Sequence, residues 1–231
     1  MRRTVVPELL DTDAGTPAEI EASLADLRAI NRRFGGSETL YILVRDVAAQ
    51  CALAQLSLLD VAAASGDVPY AVQSDMRHDG IELDVTLLDR ATTHLGRQFP
   101  AVAGDALKMP FADESFDLVS CSLFLHHIEP DEIVAFVEEG LRVARHAVLL
   151  NDLRRSRLHL LLVRAAWPLF RSRLTRHDAP ASVRRAYTPA ELAGMLRRTR
   201  AVRFSIRNTY FFRMGAIAWK GAPGNGPNAA L

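Results

Sequence analysis

Two apolar runs in the first half of the chain each end in a carboxylate, and a histidine pair follows a third. Ser57-Leu58-Leu59-Asp60 breaks into Val61-Ala62-Ala63-Ala64-Ser65-Gly66, a stretch of very small residues. A buried strand that opens into such a turn lets backbone pass close to a ligand at the carboxyl end of a parallel sheet. Val85-Thr86-Leu87-Leu88-Asp89 also ends in an acid. That acid is placed to accept hydrogen bonds from ribose hydroxyls or to cap the next helix. Two such acids with a small-residue turn point to a nucleoside-bearing cofactor. Gly104-Asp105-Ala106 and then His126-His127 come after two further apolar runs. A histidine of near-neutral pKa can take the proton of a phenol. At the end of an apolar strand it can equally be a packed, hydrogen-bonded side chain.

These residues need a scaffold, and the hydrophobic pattern predicts one. Strands are expected near 57–60, 83–88, 101–103, 118–122, 147–150, 202–209 and 213–220, separated mostly by helical patterns. The last two are too close in sequence for anything but a hairpin, so the final strand runs antiparallel to its neighbour. Residues 1–17 read as a loose start. Thr16-Pro17 with Glu19 opens a helix that ends across residues 31–36, and a second helix covers about 37–53. Further helices are expected at 69–76, 91–98, 130–144 and 189–198. Between them, 158–170 reads as one strongly apolar helix and 171–185, with His177, Asp178 and Pro180, as basic and irregular. Domain limits follow as 1–54 for the N-terminal helices, 55–220 for the main domain and 221–231 for a disordered tail.

Composition bounds the function. A chain of 231 residues with 49% hydrophobic content is long enough for one well-buried α/β domain with additions. A net charge of +1 gives no argument for nucleic acid or an anionic membrane surface as partner. Cys51 and Cys121 lack metal-ligand spacing and read as small hydrophobes in a reducing compartment. No metal is expected. No stretch is apolar enough to span a bilayer, and the acidic, proline-containing N-terminus does not read as a signal peptide, so the expected location is cytoplasmic.

Taken together, residues 55–152 resemble the class I S-adenosylmethionine-dependent methyltransferases. The resemblance rests on the acid-ended first strand with its small-residue turn, on Asp89, on Gly104-Asp105-Ala106, and on Met109-Pro110-Phe111 leading to Ser115-Phe116-Asp117. The histidine pair after the fourth strand is similar to that of the quinone-biosynthesis members. The resemblance implies a Rossmann-like α/β fold. Its seven-stranded sheet is mostly parallel with an antiparallel last strand and helices on both faces. A helical lid over 1–54 precedes it, and a helical insert over 153–187, on the substrate side, follows the fifth strand.

It implies S-adenosylmethionine as cofactor and S-adenosylhomocysteine as product, held by Asp60, Ala62, Ala64, Gly66, Asp89, Arg90, Asp105, Ala106, Ser122 and Leu123. His126 and His127 are the catalytic candidates. Asn151-Asp152-Leu153 and the basic segment after it resemble a bacterial subgroup associated with type III polyketide synthases and natural product biosynthesis. Asp152, Arg176, His177 and Tyr187 are therefore expected to meet a small phenolic or polyketide-derived acceptor, methylated on oxygen or carbon by a monomer or homodimer. The family usually has glycine where this chain has Ala62 and Ala64, so both are expected at negative φ. A nicotinamide oxidoreductase would want G-x-G-x-x-G after the first strand, which residues 62–67 do not supply. A cofactor-binding protein without catalysis is the rival reading.

Overall fold

Leu58, Leu87, Leu118 and Leu149 point to one side of a central sheet, and Leu59, Leu88, Val119 and Val148 to the other, all of them fully buried. That alternation is the period of two of a strand covered on both faces. The computed structural model describes residues 1–12, 14–90, 95 and 98–221. Its strands are β1 (Gln55–Val61), β2 (Glu82–Asp89), β3 (Ala101–Ala103), β4 (Phe116–Ser122), β5 (Ala144–Leu153), β6 (Arg203–Tyr210) and β7 (Arg213–Trp219). They form one seven-stranded sheet in the order β3-β2-β1-β4-β5-β7-β6. The first five pair in parallel, and β7 runs antiparallel to both β5 and β6.

The helices are α1 (Pro17–Arg33), α2 (Gly36–Cys51), α3 (Asp67–His78), α4 (Pro130–Val143), α5 (Arg157–Ala165), α6 (Arg173–Arg185) and α7 (Pro189–Leu196). One apolar cluster joins α2 and α3 to one face of the sheet, and a second joins α4 and α7 to the other. Helices α1, α5 and α6 pack on one another above the carboxyl ends of the strands. The strand order reverses between β1 and β4. In an open parallel sheet the crevice outside such a switch point is where ligands bind. Two tryptophans mark different layers. Trp219 is buried in β7 with the Arg203 guanidinium 3.9 Å from its ring centre, whereas Trp167, half exposed beyond α5, stacks with Arg176.

Three sequence expectations are corrected. The apolar helix expected over 158–170 stops at Ala165, and residues Trp167–Leu169 form a 3-10 turn. Pro168 lacks an N–H and disfavours helical backbone at the residue before it. Residues 171–185, expected irregular, are largely helix α6, with Pro180 inside it. The Asp26 carboxylate on α1 accepts the N–H groups of Arg171 (2.8 Å) and Ser172 (3.1 Å), and the Ser172 hydroxyl accepts that of Leu174, so packing sets the helix start.

The expected loose start is instead tied across the molecule. Thr4 N–H donates to Arg184 O, Arg3 to Glu129 and Arg185 O, and Leu9 and Leu10 N–H to Asp178. The helix expected over 91–98 falls mostly outside the described residues, as does the tail from 222 onward. No described helix is long and apolar enough to cross a membrane.

Candidate active site

Strand β1 delivers Asp60 into the floor of the crevice, 2% exposed, where the Ser120 hydroxyl donates to it at 2.5 Å. Burial pushes the Asp60 carboxyl up to about 7. Past Val61 the chain turns through left-handed backbone. Ala62 has φ 55° and Ala64 φ 45°, so the expectation of negative φ at both alanines is corrected. Gly66 (φ 67°) closes the turn as the N-cap of α3, and a Cβ there would stand 2.8 Å from Leu87 Cδ1. The turn holds its shape because Ala64 N–H donates to Asp89 Oδ2 (2.9 Å) and Ala63 N–H to Leu88 O. Leu123, just after β4, is left-handed too (φ 58°). Of the five described non-glycine residues with left-handed backbone, Ala62, Ala64 and Leu123 stand where β1 and β4 end, and Ala52 and Glu114 lie elsewhere.

Beyond the cofactor-type turn lies a polar cluster. Asp152, near the end of β5, reaches across to the segment following β4. Its Oδ1 is 2.7 Å from His126 Nδ1, and its Oδ2 accepts the His126 N–H. Burial opposes its charge, but the facing His126 outweighs that and holds the Asp152 carboxyl below its usual range. His127 Nδ1 is 3.1 Å from Asp11 Oδ2. The N-terminal segment also inserts Glu8, 7% exposed, with Oε1 3.7 Å from His126 Nε2 and Oε2 4.0 Å from His127 Nε2. Burial raises the Glu8 carboxyl to about 7. Arg185 donates to the carbonyls of His126 and His127 and to Asp11, which locks the pair to α6.

A third polar group comes from β7. Because this strand is antiparallel, its first residue, Arg213, stands at the carboxyl edge of the sheet beside Leu153. Arg213 is buried and donates to Asn31 Oδ1 (2.9 Å), while its Nη1 has no partner. Desolvation lowers this guanidinium to about 10. Asn31 in turn donates to Asp67 at the start of α3.

One cavity of about 1110 Å³ connects these parts. That matches or exceeds the roughly 300–1,000 Å³ of a single-ligand site, so a cofactor and an acceptor fit side by side. Of the residues predicted from sequence, Asp60, Ala62, Ala64, Asp89, Arg90, Asp105, Ala106, Ser122, Leu123, His126 and His127 line it. Gly66 shapes the turn without lining the cavity. Asp152 sits behind His126. Three expected acceptor contacts do not reach the cavity wall. Tyr187 is buried with its hydroxyl donating to Ile128 O, Arg176 stacks on Trp167, and His177 pairs with Asp178. Each is engaged by its own neighbours. Asp105 accepts the Leu107 N–H within its own turn.

The sequence reading missed Glu8, Asp11, Arg185 and Arg213. Only the acidic character of residues 8–13 hinted at two of them. The outer cavity wall is apolar, formed by Leu24, Leu27 and Ile30 of α1 and Leu158, Leu162 and Val163 of α5.

Comparison with known proteins agrees with this geometry. Residues 59–150 match the family described as "Methyltransferase domain". A demethylmenaquinone methyltransferase of Beutenbergia cavernae is 39% identical over 94 residues, covering 38% of this chain and 36% of that protein. One from a Mycobacterium species is 51% identical over 49 residues, 21% of this chain and 20% of that one. The matched stretch thus spans about a third or less of these curated relatives. The solved magnesium protoporphyrin IX methyltransferase of Synechocystis PCC 6803, with bound S-adenosylhomocysteine, aligns with TM-score 0.51 and 16% identity over 81% of this chain and 84% of that one, which is a likeness of fold.

The fold is the one seen in a solved methyltransferase with bound S-adenosylhomocysteine, and within it residues 59–150 match the methyltransferase-domain model, so S-adenosylmethionine is the cofactor against which the site is tested. The residues present fit that cofactor, with two carboxylates at strand ends, an open small-residue turn and a buried guanidinium N–H awaiting an anion.

Proposed function

We propose that the protein transfers a methyl group from S-adenosylmethionine to an oxygen or carbon atom of a small, mostly apolar acceptor of phenolic or polyketide-derived type. The observation that carries this reading is the continuity of one cavity. It runs from the acid-ended strands β1 and β2 to the His126–Asp152 pair beneath an apolar roof. The cofactor supplies a methyl carbon on a sulfonium, open to in-line displacement. Asp89 holds the ribose, Asp105 and Ala106 the adenine, and the turn over residues 62–66 the methionine portion.

The chain's task is alignment and exclusion of water. Helices α1, α5 and α6 close the cavity with aliphatic side chains, so an aromatic acceptor is desolvated as it enters. His126 has its Nδ1 committed to Asp152, which leaves Nε2, 3.7 Å from Glu8 Oε1, as the nitrogen to receive an acceptor proton. For a carbon nucleophile the same group stabilises the phenolate form. The curated relatives named as demethylmenaquinone methyltransferases add hydroquinone rings to the acceptors worth screening.

The test is calorimetry with S-adenosylhomocysteine followed by a methyl-transfer screen of phenolic and hydroquinone acceptors. His126→Ala should lower the rate on the best acceptor by the roughly 10²–10⁴-fold that a general base contributes. Binding without transfer to any acceptor would place the chain among non-catalytic binders. Transfer only to protein or nucleic acid would sink the enclosed-pocket reading.

A further inference from the structure

Glu8, His126 and His127 meet from two distant parts of the chain, and one ligand atom from each lies within 4.8 Å of the others. Both imidazoles are held in the same sense. Nδ1 of His126 is engaged by Asp152 and Nδ1 of His127 by Asp11, so each ring turns its Nε2 toward the Glu8 carboxylate. A carboxylate behind each histidine is the arrangement that fixes the tautomer and orientation of a metal ligand. Glu8 Oε1 is buried and has no hydrogen-bond partner, on a side chain more than nine-tenths buried. A buried carboxylate oxygen left unpaired is costly unless something not yet counted satisfies it.

The two Nε2 atoms stand 3.7 and 4.0 Å from Glu8 oxygens. Ligands bound at roughly 2.0–2.2 Å lie about 3.0–3.4 Å apart, so the two Glu8–histidine distances need to shorten by roughly half an ångström and the widest pair, within 4.8 Å, by up to roughly 1.5 Å. Glu8, Asp11 and Asp152 bring three carboxylates against two guanidiniums, Arg213, which acts on Asp152, and Arg185, which is 3.7 Å from Glu8 Oε1 and otherwise tied to the carbonyls of Val6, His126 and His127 and to Asp11. Binding of a divalent cation there requires neutral imidazoles and an ionised Glu8.

We propose that Glu8, His126 and His127 form a two-histidine, one-carboxylate site for a divalent first-row transition ion, open toward the acceptor half of the cavity. Two nitrogens and one oxygen suit Zn²⁺, Fe²⁺ or Co²⁺ rather than Mg²⁺. The proposal rests on the reading of this half of the cavity as the acceptor's. It changes how the acceptor is activated. An acceptor hydroxyl that binds the ion loses its proton to water, so that an oxygen anion stays bound at neutral pH without an imidazole base.

The test uses the untagged full chain, stripped with a chelator and titrated with Co²⁺, with Zn²⁺ equilibrium dialysis in parallel. Wild type should take up one equivalent and develop a cobalt d–d absorption band that shifts when catechol is added. Glu8→Gln and His127→Ala should each weaken ion affinity by at least about tenfold. His78→Ala, exposed at the end of α3, should not. S-adenosylhomocysteine calorimetry on every sample shows whether the cofactor half remains folded, so that a lost ion signal is local to the cluster. Equal ion affinity in wild type and in the Glu8→Gln/His127→Ala double variant overturns the site. If wild type takes up no ion while His126→Ala still abolishes methyl transfer, the site is overturned and the imidazole base stands. If wild type binds the ion as expected but not S-adenosylhomocysteine, the ion site is supported and the methyltransferase reading fails.

Discussion

Ala62 and Ala64 sit where glycine would be at ease, and each keeps a left-handed backbone. An L-residue with a Cβ gives up roughly 1–2 kcal/mol in that conformation. Glycine at the same position adds unfolded-state freedom worth roughly 0.5–1 kcal/mol. Ala62→Gly and Ala64→Gly should therefore each raise stability by up to about 1 kcal/mol in urea unfolding, with cofactor affinity equal or better. A loss of stability in both would mean that the methyls pack well enough to outweigh the strain. Asp60 makes a second prediction at this scale. Its folded carboxyl titrates near 7 against an ordinary 3.8, so the folded chain holds this proton more tightly than the unfolded one. Stability from this group is complete below about pH 4 and declines as pH rises to about 7. Asp60→Asn should remove that decline. Parallel stability–pH curves for the two proteins would refute the assignment.

The helical cover over the crevice depends on a few long-range contacts. Asp26 of α1 accepts two N–H groups where α6 begins, and the Ser23 and Thr175 hydroxyls meet at 3.1 Å between the same helices. Asp26→Ala leaves the buried Ser172 N–H and the partly buried Arg171 N–H without that partner, at about 1–3 kcal/mol. Hydrogen exchange should then speed up at the start of α6 while β4 keeps its protection, and uniform acceleration throughout would contradict a local role.

The same contacts explain what was legible. The starts of α1 and α7 were readable because Thr16 with Glu19 and Thr188 with Glu191 form capping boxes within four residues. Strands β1, β2 and β4 were readable because burial on both faces writes an apolar run into the sequence. The start of α6 was not, since Asp26 is 145 residues away from Arg171. Nor was Glu8, whose partners His126 and His127 lie in another part of the chain altogether.

At the scale of the whole molecule, the one strand that reverses direction brings a charge to the site. A parallel β7 would end, not begin, at the carboxyl edge, and Arg213 would face the opposite side of the protein. Its unpartnered N–H calls for an anion, and the amino-acid carboxylate of a bound S-adenosylhomocysteine would supply one. Arg213→Met should lower S-adenosylhomocysteine affinity by roughly 1.5–3 kcal/mol, measured by calorimetry. Unchanged affinity would assign the guanidinium to the acceptor instead.

The placement of the two tryptophans has an optical consequence. Trp219, 2% exposed in the sheet, should emit at short wavelength and respond only when the entire fold is lost, whereas Trp167, 50% exposed at the end of α5, should emit to the red and be readily quenched. Its neighbours Ala166 and Phe170 line the cavity, so an acceptor that draws the insert inward should shift the red component alone. The unlabelled protein therefore carries separate natural fluorophores for its cover and for its core, and stopped-flow mixing can time closure of the one against an unchanging signal from the other.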